Sequence, residues 1–199
     1  MKERPILFSG EMVRALLDGR KTQTRRVVKP AKDRNGSGCQ LAPCEIAGEI
    51  NNGDYCLCPY GQPGDRLWVR EAFRSRRVDN LPGDVAYRAD HPGEKTVPNS
   101  YGRSWKPSIH MPRWACRLLL EVTAVRVERL QDITEDDAWN EGVQDWMGKE
   151  TPWKGELAPV SVHAFAALWE SINGSDSWDA NPWVWVVEFR VIEPGEVAA

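Results

Sequence analysis

Hydrophobic positions along this chain switch between two periods. In "GEMVRALLDG" (10 to 19) Met12, Val13, Leu16 and Leu17 recur at helical spacing, and Gly19 follows as a C-terminal cap signal. A second helix is predicted over "ITEDDAWNEGV" (133 to 143), with Thr134 as N-cap and Asp137 three positions later in the manner of a capping box, and acids in the first turn that suit the helix dipole. A third lies over "VSVHAFAALWESIN" (160 to 173), with Val162, Phe165, Ala166 and Trp169 on one face and Asn173-Gly174 closing it. Between these the period falls to two. "PILFS" (5 to 9), "DRLWVREAF" (65 to 73), "DVAYRAD" (84 to 90), "CRLLLEVTAVRVERL" (116 to 130) and "PWVWVVEFRVIE" (182 to 193) read as strands. About five strands that do not alternate one-for-one with three helices predict an α+β fold, built on a small curved sheet or barrel.

Two stretches interrupt this pattern. Residues 29 to 58 are rich in Gly, Pro, Asn and Cys, and residues 91 to 108 in Pro, Ser and Gly, so both read as long surface loops inserted in a single domain spanning 1 to 199. A length of 199 residues fits one such domain. Lys plus Arg number 26 against 29 Asp plus Glu, so nucleic acid would be attracted only by a local basic patch, not by the whole molecule. No window approaches the roughly 18 apolar residues of a membrane span, and the N-terminus is too charged for a signal peptide, which predicts a cytoplasmic location and no membrane partner.

The charge that matters is clustered. "GRKTQTRR" (19 to 26) sets Arg20, Lys21, Arg25 and Arg26 around two threonines directly behind the first helix, and Arg74, Arg76 and Arg77 form a second cluster. Such a run is a solvated turn, a phosphate-binding patch or the floor of an active site. Tryptophan is unusually frequent at ten residues. Most are expected in the core, and a minority beside a pocket would stack on a nucleobase. No Walker motif, G-x-G-x-x-G or His-Glu zinc motif is present.

Taken in order, "GRKTQTRR", "GQPGDRLWVRE", "LLLEVTAVRVERLQDIT" running into "EDDAWNEGV", and "WVWVVEFRVIE" resemble the ASCH family, a branch of the PUA-like β-barrel proteins associated with RNA. "SIHMPRWACR" and "ALWESINGSDSWDANPWVWVVEF" are similar to its larger phage and prophage members. The resemblance implies a PUA-like small curved β-barrel flanked by helices. It also implies an N4-acetylcytidine amidohydrolase activity, with a site built from the motif residues Lys21 and Thr24 and the glutamate of "AWNEG", Glu141. The two insertions and the many tryptophans depart from the small family members and leave the substrate open.

Those three residue types suffice for amide hydrolysis without a cofactor. Thr24 would be the nucleophile, and Lys21 its base, provided desolvation or Arg20, Arg25 and Arg26 bring the amine well below its ordinary pKa of about 10.4. Glu141 would orient Lys21 or protonate the departing amine. Arg20, Arg25 and Arg26 are also candidates for binding a modified nucleoside or RNA, as are His110, Arg113 and Trp114 in "IHMPRW". Cys39, Cys44, Cys56 and Cys58 are spaced to hold a structural zinc or to remain free thiols in a loop; C-x-C departs from the usual zinc spacing. Two other functions use the same cations: an RNA-binding module without chemistry, and a ribonuclease.

Overall fold

The computed structural model describes residues 1–32, 39–75, 85–94, 104–147 and 160–192. Strands β1 (Glu3–Leu7), β2 (Gln23–Val27), β3 (Ala31–Lys32), β4 (Gln40–Leu41), β5 (Arg66–Arg70), β6 (Phe73–Ser75), β7 (Val85–Tyr87), β8 (Leu119–Arg129) and β9 (Trp183–Val191) are joined by four helices. These are α1 (Gly10–Leu17), α2 (Pro43–Asn51), α3 (Glu135–Asn140) and α4 (Val160–Asn173). Five strands form the main sheet in the order β1-β5-β8-β9-β2, parallel between β1 and β5 and antiparallel elsewhere. The α+β class is as the hydrophobic periods predict.

The barrel differs from expectation. Among the described residues main-chain pairing does not close the sheet, which keeps two edges, β1 and β2. Pro5 lies in β1 and has no N–H to offer a further strand, which suits an edge position. A side chain spans the gap instead: Arg26 Nη2 in β2 donates to the Leu7 carbonyl of β1 at 2.8 Å.

Strand β9 is the centre of the core. Alternation predicts one wet face, yet Val184, Trp185, Val186 and Val187 are all buried, because helices and strands cover this strand on both faces. Val122, Val125 and Val127 of β8 pack beside it, with a bulge between Val122 and Ala124. In α1 the buried face is Met12, Val13, Ala15 and Leu16, while the predicted core residue Leu17 is 48% exposed.

Two segments correct the sequence reading. Residues 29 to 58 are not simply a surface loop, because α2 lies within them and buries Ile46, Ala47 and Ile50 against β8. Glu45 caps this helix by accepting from the Ala42 N–H at 2.7 Å, and Pro43 starts it. The three apolar residues recur at positions 46, 47 and 50, a helical spacing hidden by the surrounding Gly and Asn. The second concerns the basic run: of its three readings the solvated turn fails for residues 23 to 27, which form β2, paired with β9 in the register Thr24↔Val187. The predicted α3 cap forms, with Thr134 Oγ1 accepting from Asp137 N and Asp137 accepting from Thr134 N. Much of the second predicted insertion lies outside the described residues, as do Arg76, Arg77 and Trp153.

Candidate active site

The chain brings residue 21 to residue 141 through its backbone. After α1, Gly19 adopts a φ of +69° and the N–H groups of Arg20 and Lys21 both turn back to the Ala15 carbonyl. Lys21 and Glu141 then form an antiparallel bridge, Thr22 N donates to Asn140 O at 2.9 Å, and Phe189 N of β9 donates to Thr22 O at 2.8 Å. The motif is thereby threaded between the end of α3 and β9. Gly142 makes the close approach feasible: its φ is +80°, and a Cβ there would sit 3.0 Å from Ala15 Cβ and 3.1 Å from Lys21 Cβ.

The side chains follow. Lys21 is fully buried, and its Nζ donates to Glu141 Oε2 at 2.8 Å and to the Glu141 carbonyl at 2.9 Å. Arg25, two positions after Gln23 on the same side of β2, has no exposed side-chain surface. Its guanidinium reaches Glu128 at 2.6 Å, Asp137 at 3.1 Å and the second Glu141 oxygen at 3.2 Å. Gln23 donates to the Asp137 carbonyl and carboxylate, and Arg126 ties Glu128, Asp137 and Glu188 together from β8. Glu141 is thus shared by a buried amine and a buried guanidinium. Removing such a partner costs about 3–5 kcal/mol, because it strands charge away from water.

Burial sets the protonation of this cluster. Desolvation pushes the Lys21 amine below its ordinary range; Glu141 opposes the shift, while Arg26 and Arg25 add to it. Arg20, expected to contribute, is not among the causes. For Asp137 burial acts upward, but Arg25, Gln23, the Thr134 N–H and Arg126 together hold the carboxyl down at about 2.

Thr24, Arg25, Arg26, Val27 and Glu141 line a small cleft, walled on its other side by Phe165, Trp169 and Asn173 of α4. Its volume is about 50 Å³. At roughly 10–15 Å³ for each water-sized occupant, it takes about four heavy atoms, the size of an amide group with one methyl. Met12, Arg26 and Ile172 also line a larger neighbouring cleft of about 590 Å³, whose walls include Leu7, Phe8, Ser9 and Tyr60. The two spaces therefore adjoin at Arg26, in the gap between the sheet edges.

The other predicted ligand-binding residues separate. Arg25 is consumed by three carboxylates and cannot reach an external phosphate. Arg20 pairs with Asp18 and Asp145, and Arg74 with Glu94. Arg26 stacks over Phe8 at 5.4 Å and has no carboxylate partner among the described residues. Arg113 pairs with Glu3 and lines a third cleft with Leu16, Leu17 and Cys116, away from the lining of the Thr24 cleft. His110 is exposed and Trp114 is 44% exposed; neither lines any of these three clefts. Trp68, Trp105 and Trp183 stack on Arg70, Arg74 and Arg129, so three indoles already serve cations of the protein itself. The four cysteines do not converge: Cys39, Cys44 and Cys56 are exposed and Cys58 is buried, and no metal-binding group of three or more His, Cys, Asp or Glu exists among the described residues. Docking of α2 holds part of this region by apolar burial.

Gln23, Glu128, Asp137, Gly142 and Trp169 also belong to the site; the sequence reads Asp137 only as a cap and Trp169 only as core, and assigns the other three no part in it. Only Gly142, directly after Glu141, carries a local signal.

No protein-family model matches the chain, and no curated protein matches it. Among solved structures it is similar to an ASCH domain from Lactobacillus crispatus JV V101, with a TM-score of 0.41 and 12% identity over 96% of this chain and 79% of that one. A likeness of this degree carries no assignment. No helix among the described residues is long and apolar enough to cross a membrane.

Proposed function

We propose that this chain is an ASCH-type amidohydrolase that removes the acyl group from an N4-acylated cytidine or a similar acylated base. The observation that carries the reading is the fully buried Lys21 amine, 2.8 Å from Glu141, a residue that lines with Thr24 a cleft with room for about four heavy atoms. A neutral amine has two N–H bonds and one lone pair, and Glu141 accepts both of the Lys21 donations, through Oε2 and its carbonyl. The lone pair is then the free direction.

In this scheme Thr24 Oγ1 adds to the acyl carbon as its proton passes to Lys21 Nζ. The C–N bond breaks, and Lys21, held by Glu141, returns the proton to the departing N4. Water then attacks the threonyl ester as Lys21 again takes a proton, the ester C–O bond breaks, Lys21 returns that proton to Thr24 Oγ1, and the carboxylic acid leaves. The acyl amide occupies the small cleft, while the nucleoside lies in the adjoining one against Phe8, Tyr60 and Arg26. No cofactor enters these steps. The binding-only reading loses support because Arg20, Arg25 and Arg74 are already neutralised by carboxylates.

The test is deacylation of a panel of N4-acylated cytidines, with a short RNA in parallel to register strand cleavage. Thr24→Ala should abolish turnover. Lys21→Arg should lower it at least about a hundredfold, since a guanidinium stays protonated and cannot act as base. Full activity of either variant removes the assigned roles, and cleavage of RNA without deacylation moves the site to a phosphodiester.

A further inference from the structure

Strand β2 turns an unused main-chain edge towards the candidate site. Its pairing with β9 runs without a register shift and continues past the ends of β2: Val28 N donates to Trp183 O, and Phe189 N to Thr22 O, each at 2.8 Å. In an antiparallel strand the main-chain hydrogen bonds of successive residues turn alternately to the two sides. Even-numbered residues of β2 therefore bond to β9, while Gln23, Arg25 and Val27 direct their N–H and C=O to the open edge. The small cleft lies along this edge and not on a face of the strand. A face would present every second residue, whereas Thr24, Arg25, Arg26 and Val27 all line it. The Arg25 side chain has no exposed surface while the residue as a whole keeps 2%, so Arg25 meets the cleft with its main chain. Val27 is 41% exposed. Among the described residues the main-chain N–H and C=O of Arg25 and Val27 have no hydrogen-bond partner, although such groups are nearly always used.

We propose that the Arg25 C=O and the Val27 N–H read the base of the substrate, through an exocyclic N–H donor and the ring-nitrogen acceptor beside it. The inference rests on the amidohydrolase reading and extends it to base recognition. The two groups flank residue 26, so the chain itself sets them side by side on one edge, acceptor first and donor second. In N4-acylated cytosine N4–H and N3 complement that order; in uracil O4 accepts and N3–H donates, so like would face like. Depth agrees with this direction. Exposure rises along the strand from Thr24 at 1% through Arg25 to Val27, and the substrate atoms follow in the same sequence: acyl carbon, N4–H, N3. The four heavy atoms of an acetamide group then fill the small cleft, the ring lies at its mouth, and the ribose enters the wider cleft beside Arg26. A peptide strand also pairs with a free edge. Here α4 stands across it, with Phe165, Leu168 and Trp169 in the opposite wall, and only two edge residues line the opening, which suits a flat ring.

Titrations use Thr24→Ala, which lacks the proposed nucleophile, and compare N4-acetylcytidine with N4-acetyl-3-deazacytidine, where C–H replaces N3. The deaza compound should bind at least about tenfold more weakly, the loss expected when it leaves a donor unpaired. The Val27 amide proton should move downfield with N4-acetylcytidine and stay in place with the deaza compound. Val27→Pro, added to Thr24→Ala, removes the N–H at a sheet edge, where proline is tolerated, and the two nucleosides should then bind alike. If the proline variant does not fold, the amide titration decides. Equal binding of the two nucleosides to Thr24→Ala, or a Val27 amide that ignores both, overturns the base-reading role while the hydrolase reading stands. If wild type deacylates nothing, the hydrolase reading falls and cytidine becomes the probe: a Val27 shift with cytidine and not with 3-deazacytidine supports a base-reading edge, and no difference ends it. A shift caused by a Thr-Val-Thr-Val peptide and by no nucleoside would make the edge a peptide-pairing strand and overturn the inference.

Discussion

Lys21 is a candidate base because of where its amine lies, and that has a measurable consequence. Desolvation lowers its pKa, with Arg26 and Arg25 helping and Glu141 resisting. The neutral amine is the active form, so activity should rise with pH along an acid limb that lies below the ordinary lysine value of about 10.4. Arg26 is the adjustable cation, since Arg25 cannot be changed without stranding Glu128, Asp137 and Glu141. Arg26→Gln removes a charge that favours the neutral amine, so the limb in kcat/KM should move to higher pH. A limb that does not move, or one that moves down, would show that another group titrates. At this scale quotable motifs single out Lys21, Thr24 and Glu141, and the structure pairs Lys21 with Glu141 and sets Thr24 and Glu141 along one cleft. The sequence misled for Arg25 and Arg20, because a run of cations looks the same whether water or carboxylates face it. Glu128 and Asp137, which decide the matter for Arg25, lie more than a hundred residues away.

The elements that carry these residues are held by backbone contacts with little room to adapt. Gly142 is the narrowest point. In Gly142→Ala the new methyl would meet Ala15 and Lys21 at about van der Waals overlap, in a left-handed conformation that L residues disfavour. Strain and overpacking together should cost about 2–4 kcal/mol, read as a lower midpoint in denaturant unfolding. Activity should fall further than stability, because the Lys21–Glu141 bridge is what shifts. A second element-level effect concerns α3. Asp137 titrates at about 2 in the fold against about 3.9 in an unfolded chain, so its stabilising contribution is fully present above pH 4. It is lost as the pH falls towards 2. The stability difference between wild type and Asp137→Asn should therefore narrow over that interval, and a gap that stays constant would show that charge at Asp137 is not the cause. The helices α1, α3 and α4 were legible from their period and caps. The helix α2 was not, because its three buried residues are diluted by Gly, Asn and Cys. Strand β2 was hidden for another reason: its inward positions are Gln23 and Arg25, polar residues buried only because partners exist elsewhere in the chain.

For the whole molecule the decisive feature is the open seam of the sheet. A closed barrel would have paired β1 with β2; here Arg26 crosses to the Leu7 carbonyl, and the two adjoining clefts open beside that crossing. Exposed Leu7, Val27 and Ile172 rim the seam, one from each of β1, β2 and α4, which is where an apolar face of a nucleoside would rest. Sequence periodicity predicts a curved sheet but not whether its ends meet, since closure depends on tilt and stagger that no single strand encodes. A ligand in this seam touches both ends of the sheet and α4 at once, so its binding should report on global unfolding. Thr24→Ala, which lacks the proposed nucleophile, is the form to use. At N4-acetylcytidine a hundredfold above its Kd, binding should add about 2.7 kcal/mol, or roughly 5–10 °C in Tm for a chain of this size. In Thr24→Ala combined with Arg26→Ala, which removes the wall shared by the two clefts, the same nucleoside concentration should give a clearly smaller rise. An equal rise in both proteins would place the nucleoside outside the seam, and no rise in either would remove acylated cytidine as the ligand.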